Sequence, residues 1–329
     1  MRVFSGIQPT GIPHLGNYLG AITNWVKLQQ AHECFYSIVD LHAITIQQDP
    51  ELLQRNTAEM AAALIACGIK KENLFRQSKV SQHSELGWIL FCHTPVSWLT
   101  RMHQWQTKSQ KNEKKLGLLS YPVLQAADIL LYKANLVPVG EDQLQHLNLT
   151  NDISKSFNST YKPVFKEIKG LFSSDKSKRI MSLRNPLVKM SKSDIDASRI
   201  NITDSPDLIK KKISKSVTDS ISGISYQNDR PGITNLLHIL MSIQDLQSEK
   251  WNLDLPELQS KVEQEFGNKS TQEFKKIVID EIVQHLDPIR EKFNETRHIV
   301  DTIIANGENR AGKVASSTLA EVHDALGLK

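Results

Sequence analysis

The chain has few cysteines and no long hydrophobic run. Only three of its 329 residues are cysteine, Cys34, Cys67 and Cys92, and no two of them form a CxxC pair. Their odd number and wide spacing argue against a disulfide framework and a zinc site, and they indicate buried thiols in a reducing compartment. Because no apolar run approaches the roughly 18 residues of a membrane-spanning helix, we expect no membrane partner.

The chain also has no strong excess of one charge. Lys and Arg number 40 against 36 Asp and Glu, and hydrophobic residues make up 40% of the sequence. This composition is typical of a globular protein and excludes an intrinsically disordered one. The net charge of +4 permits a polyanionic partner without requiring one. At roughly 150 residues per domain, the length predicts two domains.

The first part of the chain predicts a β-α-β unit. Val3–Ser5 is short and apolar, and it is followed by a loop rich in glycine and proline at 6–11. From Leu15 to about Gln30 the apolar residues have helical spacing, 35–39 resembles a second strand, and 51–67 a second helix. A strand, a glycine-bearing loop, a helix and another strand predict an α/β fold with a parallel sheet.

A second strand–helix pair is expected further along the chain. Val137–Val139 predicts a short strand, after which Gly140 opens a helix. The inner face of this helix is expected to carry Leu144, Leu147, Ile153 and Phe157. After about Asn158 the chain becomes polar and lysine-rich, which is typical of a surface connection.

Beyond Ser193 the pattern is almost wholly helical. Ser205 is expected to cap a helix that begins at Pro206. The lysines of this region, Lys210–Lys212 and Lys215, are expected on a solvated helix face, and the alternative is a patch that faces phosphate. A long amphipathic helix is expected from Ser270 to about Ala305, interrupted at Pro288. Its stop signal would be Asn306-Gly307, and a last helix would run to about Leu326.

Two segments contain residues suited to binding phosphate. Pro13-His14-Leu15-Gly16-Asn17 lies where the first loop enters its helix, and unpaired N–H groups at a helix start attract anions. By itself this segment could equally contain ordinary capping residues. Lys189-Met190-Ser191-Lys192-Ser193 has two lysines that could neutralise the charge of a pyrophosphate leaving group. By itself this segment could equally be a solvated loop.

Together the two segments resemble the signatures of class I aminoacyl-tRNA synthetases, His-Ile-Gly-His and Lys-Met-Ser-Lys-Ser. The second signature is present letter for letter, and the first has the form His14-Leu15-Gly16-Asn17. Four further segments are similar to the tryptophanyl-tRNA synthetase family, and the resemblance extends to about Leu328. These segments are 4–11, 39–45, 121–132 and 138–143.

The resemblance implies a domain organisation. It predicts a Rossmann-like parallel-sheet catalytic domain over residues 1–186, with a helical insertion around 81–118. A helical domain over 187–290 would recognise the anticodon. C-terminal helices over 291–329 would pack back toward the catalytic domain.

The resemblance also implies the residues that handle ATP. Positions that match catalytic residues of the family are His14, Asn17, Lys108, Lys189 and Lys192. Positions that match ATP contacts are Gln8, Pro9, Thr10, Gly16, Asn17, Gly140, Glu141, Asp142, Ile180, Lys189, Met190, Ser191, Lys192 and Ser193. No protein-bound metal is expected, and Mg²⁺ would arrive with the ATP. For Lys108 the alternative is a solvent-facing lysine.

A third set of positions matches the tryptophan pocket of the family. Asp128 matches the carboxylate that accepts the indole N–H, and a lone aspartate in an apolar segment does need a partner. The alternative for Asp128 is a carboxylate satisfied by the backbone or by a helix cap. The remaining matched positions are Phe4, Val39, His42, Tyr121, Gln125, Ile129, Val139 and Gln143, and Gln125 stands where bacterial members usually have methionine.

The implied activity is that of an aminoacyl-tRNA ligase. L-Tryptophan would react with ATP to give tryptophanyl-adenylate and pyrophosphate, and the amino acid would then pass to the 3′-terminal adenosine of tRNA(Trp). The family also implies a homodimer. Three rival interpretations are a tyrosyl-tRNA synthetase, a catalytically silent nucleic-acid-binding paralogue and an adenylyltransferase of the same fold.

The expected compartment is the mitochondrial matrix. The segments 14–17, 124–128 and 217–222 are more similar to mitochondrial members of the family, particularly fungal ones, than to typical bacterial ones. No transit peptide precedes the first predicted strand, which favours the alternative, the bacterial cytoplasm. The tryptophans Trp88, Trp98 and Trp105 lie among apolar neighbours and are expected in the core or at an interface.

Overall fold

The computed structural model describes residues 1–108, 115–140, 143–171 and 179–328. Within these ranges five strands form one parallel sheet in the order β3-β2-β1-β4-β5. The strands are β1 Arg2–Ile7, β2 Glu33–Ile38, β3 Leu74–Arg76, β4 Leu136–Pro138 and β5 Lys169–Leu171. The central strands β1 and β2 are mostly buried because helices cover both faces of the sheet. The expected parallel α/β sheet is confirmed.

The strand order creates one switch point in the sheet. From β1 the chain moves outward to β2 and β3, and it then returns so that β4 pairs with the other side of β1. The register places Val3 opposite Cys34 on β2 and opposite Leu136 on β4. In open α/β sheets ligands bind at the carboxyl ends of the strands beside such a reversal. The residues that follow Ile7 and Pro138 therefore line the expected cleft.

Nine helices of the described ranges lie before residue 161. The first expected helix is confirmed, although a π-helical segment at Tyr18–Ile22 divides it. The helices are α1 Leu15–Asn17, α2 Thr23–Ala31, α3 Asp40–Ala43, α4 Pro50–Ala66, α5 Gln82–His93, α6 Val96–Thr100, α7 His103–Lys108, α8 Leu116–Leu131 and α9 Leu144–Thr160.

The later part of the described chain is helical, as expected. Ser205 caps its first helix by accepting a hydrogen bond from the N–H of Leu208. The helices are α10 Pro206–Ser214, α11 Pro231–Ser248, α12 Leu255–Phe266, α13 Thr271–Thr296 and α14 Val300–Leu326. None of the helices in the described ranges combines the length and the hydropathy that a membrane span requires.

The predicted start of α9 is wrong. The helix begins at Leu144 rather than at Gly140, and Leu144 is 45% exposed instead of facing inward. Leu144 is the first residue of α9, and both it and the following Gln145 are exposed. The other three predicted inner residues, Leu147, Ile153 and Phe157, are buried.

Two predicted helix boundaries near the C-terminus are also wrong. α13 continues through Pro288 to Thr296, because a proline removes one backbone hydrogen bond without necessarily ending a helix. α14 runs through Gly307, which the sequence suggested as a stop. A Cβ on Gly307 would lie 2.0 Å from the carbonyl oxygen of Leu74 and 2.6 Å from that of Lys71. Glycine is therefore present so that α14 can lie directly against the edge of β3.

The last helix belongs to the core beneath the sheet. Buried Ala311, Ala315 and Leu319 of α14 join a hydrophobic cluster that includes Phe35 and Phe75 of the sheet. The guanidinium of Arg310 lies 4.1 Å from the centre of the Phe35 ring and donates to the carbonyl of Cys34 over 3.0 Å. The other main cluster joins β1 and β2 to α4 and to α10–α13. The helical part therefore packs on the sheet domain through continuous apolar cores.

The two glycines of α14 offer a matched test of this packing. Gly307→Ala should cost about 1–3 kcal/mol of unfolding free energy, because the new methyl group overlaps backbone that cannot easily move. Gly312→Ala should instead stabilise by about 0.5–1 kcal/mol, since nothing lies within 4 Å of its Cβ position and alanine favours a helix. Urea denaturation measures both. Equal effects of the two substitutions would contradict the close approach at Gly307.

Candidate functional site

The cleft at the switch point begins with the loop after β1. Gln8 and Thr10 are exposed there, whereas Pro9 is buried. The N–H of Thr10 donates to the carbonyl of Gln8 over 2.9 Å, which turns the chain toward α1. On the opposite side Val139 is half-buried after β4, and Gly140 beyond it is exposed. These predicted positions therefore meet at one edge of the sheet.

His14 and Asn17 form the cap of α1. The Nδ1 atom of His14 accepts the N–H of Asn17 over 3.2 Å, and Oδ1 of Asn17 accepts the N–H of His14 over 3.3 Å. His14 and Asn17 therefore form a capping box at the start of α1. Because Nδ1 acts as an acceptor, the proton of neutral His14 resides on Nε2 and makes that atom a donor.

The His14 ring is buried beside basic groups. It is 2% exposed. Burial, followed by the charges of Lys192, Arg199 and Lys189, lowers the pKa of His14 from 6.5 to about 4. His14 is therefore a neutral hydrogen-bond donor near pH 7, not a fixed positive charge.

Gly16 allows close packing over the first turn of α1. A Cβ at this position would lie 3.1 Å from the His14 ring and 3.6 Å from the Cβ of Ile180. Ile180 is buried and accepts the N–H of Met190 at its carbonyl over 3.1 Å. The predicted ATP positions Gly16, Ile180 and Met190 thus connect α1 to the second signature segment.

The second signature segment lies across the loop after β1. Met190 is buried and anchors the segment, while Lys189 is exposed. The Nζ atom of Lys192 donates to the carbonyl of Gly11 over 2.6 Å and lies 3.3 Å from Oγ1 of Thr10. The hydroxyls of Ser191 and Ser193 are 2.8 Å apart. The second signature therefore contacts the loop that leads into the first one, although 181 and 182 residues separate Lys192 from Gly11 and Thr10.

Arg199 holds this segment, although no motif in the sequence predicts this role. Its Nη1 atom donates to the carbonyls of Lys192 over 3.2 Å and Asp194 over 2.6 Å. Burial, followed by the charge of Arg199, lowers the pKa of Lys192 from 10.5 to about 8. Lys192 is thus mostly protonated at pH 7 and can pair with an anion.

Lys212 anchors the chain that follows the signature. The sequence suggested a solvated helix face for Lys210–Lys212, but the side chain of Lys212 is only 3% exposed. Its Nζ atom lies 2.6 Å from Oδ2 of Asp204 and 2.8 Å from Oδ2 of Asp196. The earlier interpretation is wrong for Lys212, because a buried ammonium requires such partners.

The positions matched to the tryptophan pocket lie near the ends of β1, β2 and β4. Phe4 stacks on Tyr132 with ring centres 5.5 Å apart, and Ile129 is buried beneath. The N–H of Val39 donates to the carbonyl of Ile7 over 2.9 Å. A Cβ on Gly6 would lie 2.8 Å from Cγ1 of Val39, so glycine is needed for this close approach.

Asp128 is buried and receives hydrogen bonds from three side chains of the described residues. Oδ1 accepts from Nε2 of Gln77 over 2.7 Å and from Nδ1 of His83 over 2.6 Å. Oδ2 lies 2.7 Å from Nε2 of His42. Burial alone would raise the pKa of Asp128, but His42 and His83 outweigh it and lower the value to about 2. The carboxylate is therefore ionised at every physiological pH.

The partners of Asp128 were mostly missed from the sequence. His42 was among the predicted pocket residues, whereas Gln77, His83 and Tyr132 were not. The Oη atom of Tyr132 lies 2.8 Å from Nε2 of His83, so a chain of hydrogen bonds extends behind the carboxylate. Tyr132 follows an apolar run, where a polar side chain needs a partner, whereas Gln77 and His83 lie among polar neighbours and carry no such signal.

Five polar residues of α7, α8 and the start of α9 come together in two groups. Tyr121 Oη donates to Oε1 of Gln104 over 2.8 Å and lies 3.1 Å from Nε2 of His146. Nε2 of Gln125 lies 3.5 Å from Oε1 of Gln143. Burial raises the pKa of Tyr121 to about 12, so its phenol keeps its proton. This group lies beside His42, whose ring centre is 6.3 Å from that of Tyr121.

Some predicted positions fall outside the described residues. These are Glu141, Asp142 and the side chain of Lys108. In the part of the chain that the structure describes, no group of three or more His, Cys, Asp or Glu side chains is arranged to hold a metal ion.

The comparison with protein families identifies one matching model. Residues 1–294 match the family of tRNA synthetases class I (W and Y). Among curated proteins, the chain is 44% identical to the tryptophan–tRNA ligase of Prochlorococcus marinus, covering 99% of this chain and 97% of that protein. It is also 44% identical to the ligase of Rickettsia conorii, with coverage of 99% and 98%.

Solved structures give the same result. A tryptophanyl-tRNA synthetase from Mycoplasma pneumoniae has a TM-score of 0.82 and 34% identity, covering 100% of this chain and 98% of that chain. The enzyme from Campylobacter jejuni, complexed with ADP and tryptophan, has a TM-score of 0.83 and 32% identity, with coverage of 99% and 100%.

The environment of His14 leads to a prediction about pH. In NMR titrations of the 11 histidines, the His14 ring should remain neutral down to about pH 5.5, because its pKa is about 4. Lys192→Met should raise this pKa, and Lys189→Met should raise it less. Since the folded value lies below the unfolded one, His14 should reduce stability as the pH falls from 6.5 toward 4. A titration of His14 near pH 6.5 in the unaltered protein would contradict the described burial.

Proposed function

The chain belongs to the tryptophan–tRNA ligases among the class I tRNA synthetases, and we propose how its residues perform this activity. L-Tryptophan reacts with ATP to give tryptophanyl-adenylate and pyrophosphate, and the 3′-terminal adenosine of tRNA(Trp) then accepts the amino acid. The reaction needs no protein nucleophile, because the carboxylate of tryptophan attacks the α-phosphorus itself. The protein contributes positioning and charge stabilisation.

One observation supports the nucleotide site above all. Lys192 contacts Gly11 and Thr10 directly, so the second signature covers the loop that leads into α1. We propose that the triphosphate lies between these segments, with Lys192 and Lys189 against the leaving pyrophosphate. The Nε2–H group of His14 would donate to a phosphate oxygen. Lys108, Glu141 and Asp142 remain proposed members of this site by family resemblance.

The other ATP positions would bind by shape and by the backbone. Gly16 leaves room over the first turn of α1, and Ile180 and Met190 offer apolar surface beside it. A flat adenine base fits such a surface. The remaining proposed contacts are Gln8, Pro9, Asn17, Gly140, Ser191 and Ser193.

The tryptophan side of the site would bind the indole ring. Phe4, Val39, Ile129 and Val139 would form its walls, and Asp128 would accept the indole N–H. Tyr121, Gln125 and Gln143 would surround the ammonium and carboxylate groups. This arrangement is supported by the burial of Asp128 and by the position of the group at the carboxyl end of the sheet.

Mg²⁺ is proposed to arrive on the polyphosphate. The loop at 8–17 and the segment at 189–193 contain hydroxyl, amide, imidazole and ammonium groups but no carboxylate. Such groups fit phosphate oxygens and are poor ligands for a hard cation. The bound ion would supply additional charge neutralisation to the phosphates. Isothermal titration tests this: tight Mg²⁺ binding to the nucleotide-free protein would contradict it.

The helical region is proposed to bind the tRNA anticodon. The proposed domains are the catalytic domain at 1–186 with its insertion at 81–118, the anticodon domain at 187–290, and C-terminal helices at 291–329. The packing of α14 on β3 supports the last assignment. Footprinting of tRNA(Trp) is the test, and the absence of protection by 205–290 over the anticodon arm would contradict it.

We also propose a homodimer. Trp88 on α5 is 68% exposed and Val96 on α6 is 64% exposed, so two consecutive helices each present a large apolar side chain to solvent. Trp88 is therefore not a core residue, and the interface interpretation of this residue is retained. Sedimentation equilibrium tests the proposal, which a monomer at micromolar concentration would contradict.

The bacterial cytoplasm is the better-supported compartment. The relatives named above are bacterial ligases, whereas the mitochondrial matrix rests on three short sequence segments alone. Fractionation of source cells tests the assignment, because recovery of the protein with mitochondria would overturn it.

The activity is tested by ATP–pyrophosphate exchange with each of the twenty amino acids. Tryptophan should support exchange and tyrosine should not, because the phenol O–H of tyrosine would lie at a different position from the indole N–H that Asp128 is placed to accept. Charging of tRNA(Trp) should follow with the same amino acid. Exchange with tyrosine, or with no amino acid, would overturn the proposal.

Lys192→Ala tests the nucleotide site separately from the tryptophan site. It should slow adenylate formation by about 10²–10³-fold, since one preorganised donor contributes about 2.7–4 kcal/mol at a transition state. The dissociation constant of tryptophan should hardly change, because Lys192 contacts the loop at Thr10 and Gly11. A variant that weakened only tryptophan binding would show that the role given to Lys192 is wrong.

A further inference from the structure

The two oxygens of Asp128 are not equivalent. A carboxylate has about four lone-pair sites, two on each oxygen. Oδ1 accepts from both Gln77 and His83, whereas His42 is the partner of Oδ2 among the described residues. Oδ1 is therefore fully used by the protein, and Oδ2 has one site left.

Hydrogen bonds behind Oδ1 fix its donors. The Oε1 atom of Gln77 accepts the N–H of Leu41 over 3.1 Å, so the amide of Gln77 must present its Nε2–H to Asp128. Burial, followed by the charge of Asp128, raises the pKa of Tyr132 well above 10, so this phenol keeps its proton. Tyr132 can then donate to Nε2 of His83, which leaves Nδ1–H as the donor to Oδ1.

These partners surround the carboxylate from separate elements. His42 is on α3, Gln77 lies in the turn after β3, His83 is on α5, and Tyr132 follows α8. His83 is 0% exposed, and the Tyr132 ring is enclosed by Phe4, Phe35 and Phe75. A rotation of the Asp128 side chain would break two hydrogen bonds to groups that are closed off from solvent, since Gln77 and His83 are both 0% exposed.

We propose that His83, backed by Tyr132, is a positioning residue that turns Asp128 so that Oδ2 alone receives the indole N–H. This inference rests on the proposed tryptophan activity and adds the residues that determine its selectivity. His83 does not touch the substrate. Its effect is to occupy Oδ1, so that the carboxylate has one acceptor site available, in one direction, beside His42.

The experiment compares kcat/KM for tryptophan with that for an analogue whose indole nitrogen is replaced by sulfur. His83→Leu should reduce the preference for tryptophan about 10- to 100-fold, because Asp128 becomes free to rotate. His83→Asn should recover most of the preference, since its amide can place an N–H near the position of Nδ1. The KM for ATP should remain unchanged in both variants.

Tyr132→Phe keeps the aromatic packing and removes only the hydroxyl behind His83. It should lower the preference several-fold, and it provides a test if His83→Leu does not fold. Tyr226→Phe is the matched control, because Tyr226 makes an equivalent 2.8 Å contact with Nε2 of His238 outside the site. This control should lower the melting temperature at most and should leave the preference unchanged.

A pH profile separates positioning from a purely structural role. The hydrogen bond from His83 lowers the pKa of Asp128, so the acidic limb of kcat/KM for tryptophan should move to higher pH in His83→Leu. The profile of Tyr226→Phe should match that of the unaltered protein.

The outcomes distinguish this inference from the activity itself. If the unaltered protein showed no exchange with tryptophan, the proposed function would fail. If it showed exchange, but folded His83→Leu and Tyr132→Phe kept the full preference and the original pH profile, only the role of His83 would be wrong.

Discussion

A buried carboxylate with three side-chain donors is the constraint on which the amino-acid side of this protein depends. Asp128 is 1% exposed, and an ionised group at that depth is tolerated only when hydrogen-bond donors surround it. Its donors come from α3, from the turn after β3 and from α5. Satisfying one charge therefore fixes the mutual positions of several elements around the indole pocket. Selectivity and local stability share the same hydrogen bonds.

The nucleotide side depends on a second junction, between the loop after β1 and the chain around residue 200. The N–H of Leu15 donates to the carbonyl of Ile200 over 2.7 Å, and the N–H of Ile202 donates to the carbonyl of Pro13 over 3.1 Å. These bonds bring Lys192 and Arg199 next to His14. Burial and the positive charges of Lys192 and Arg199 keep His14 neutral. The same two charges can attract a polyphosphate. The cap of α1 and the second signature therefore act as one unit.

Much of this could be predicted from the sequence, because the relevant signals are local. The strand–loop–helix order and the cap at Ser205 follow from neighbouring residues, and both signature segments follow from their resemblance to a known family. The errors concern long-range contacts. In the sequence Gly307 resembles a helix stop signal, but in the structure the edge of β3 lies against it. Lys212 is expected to be solvated, but it pairs with Asp196 and Asp204. His83 lies 45 residues from Asp128, and no pattern in the chain pairs them.

The central claim is that Asp128 recognises the indole N–H, and its most direct test is the substitution of this residue. The measurement is kcat/KM for tryptophan and for the sulfur analogue, in the unaltered protein and in Asp128→Ala. The unaltered protein should prefer tryptophan by a factor on the order of 10⁴, because the analogue leaves a buried acceptor unpaired. Asp128→Ala should lose most of that preference, and Asp128→Asn should fall between the two. A folded Asp128→Ala protein with an undiminished preference would show that another residue recognises the indole.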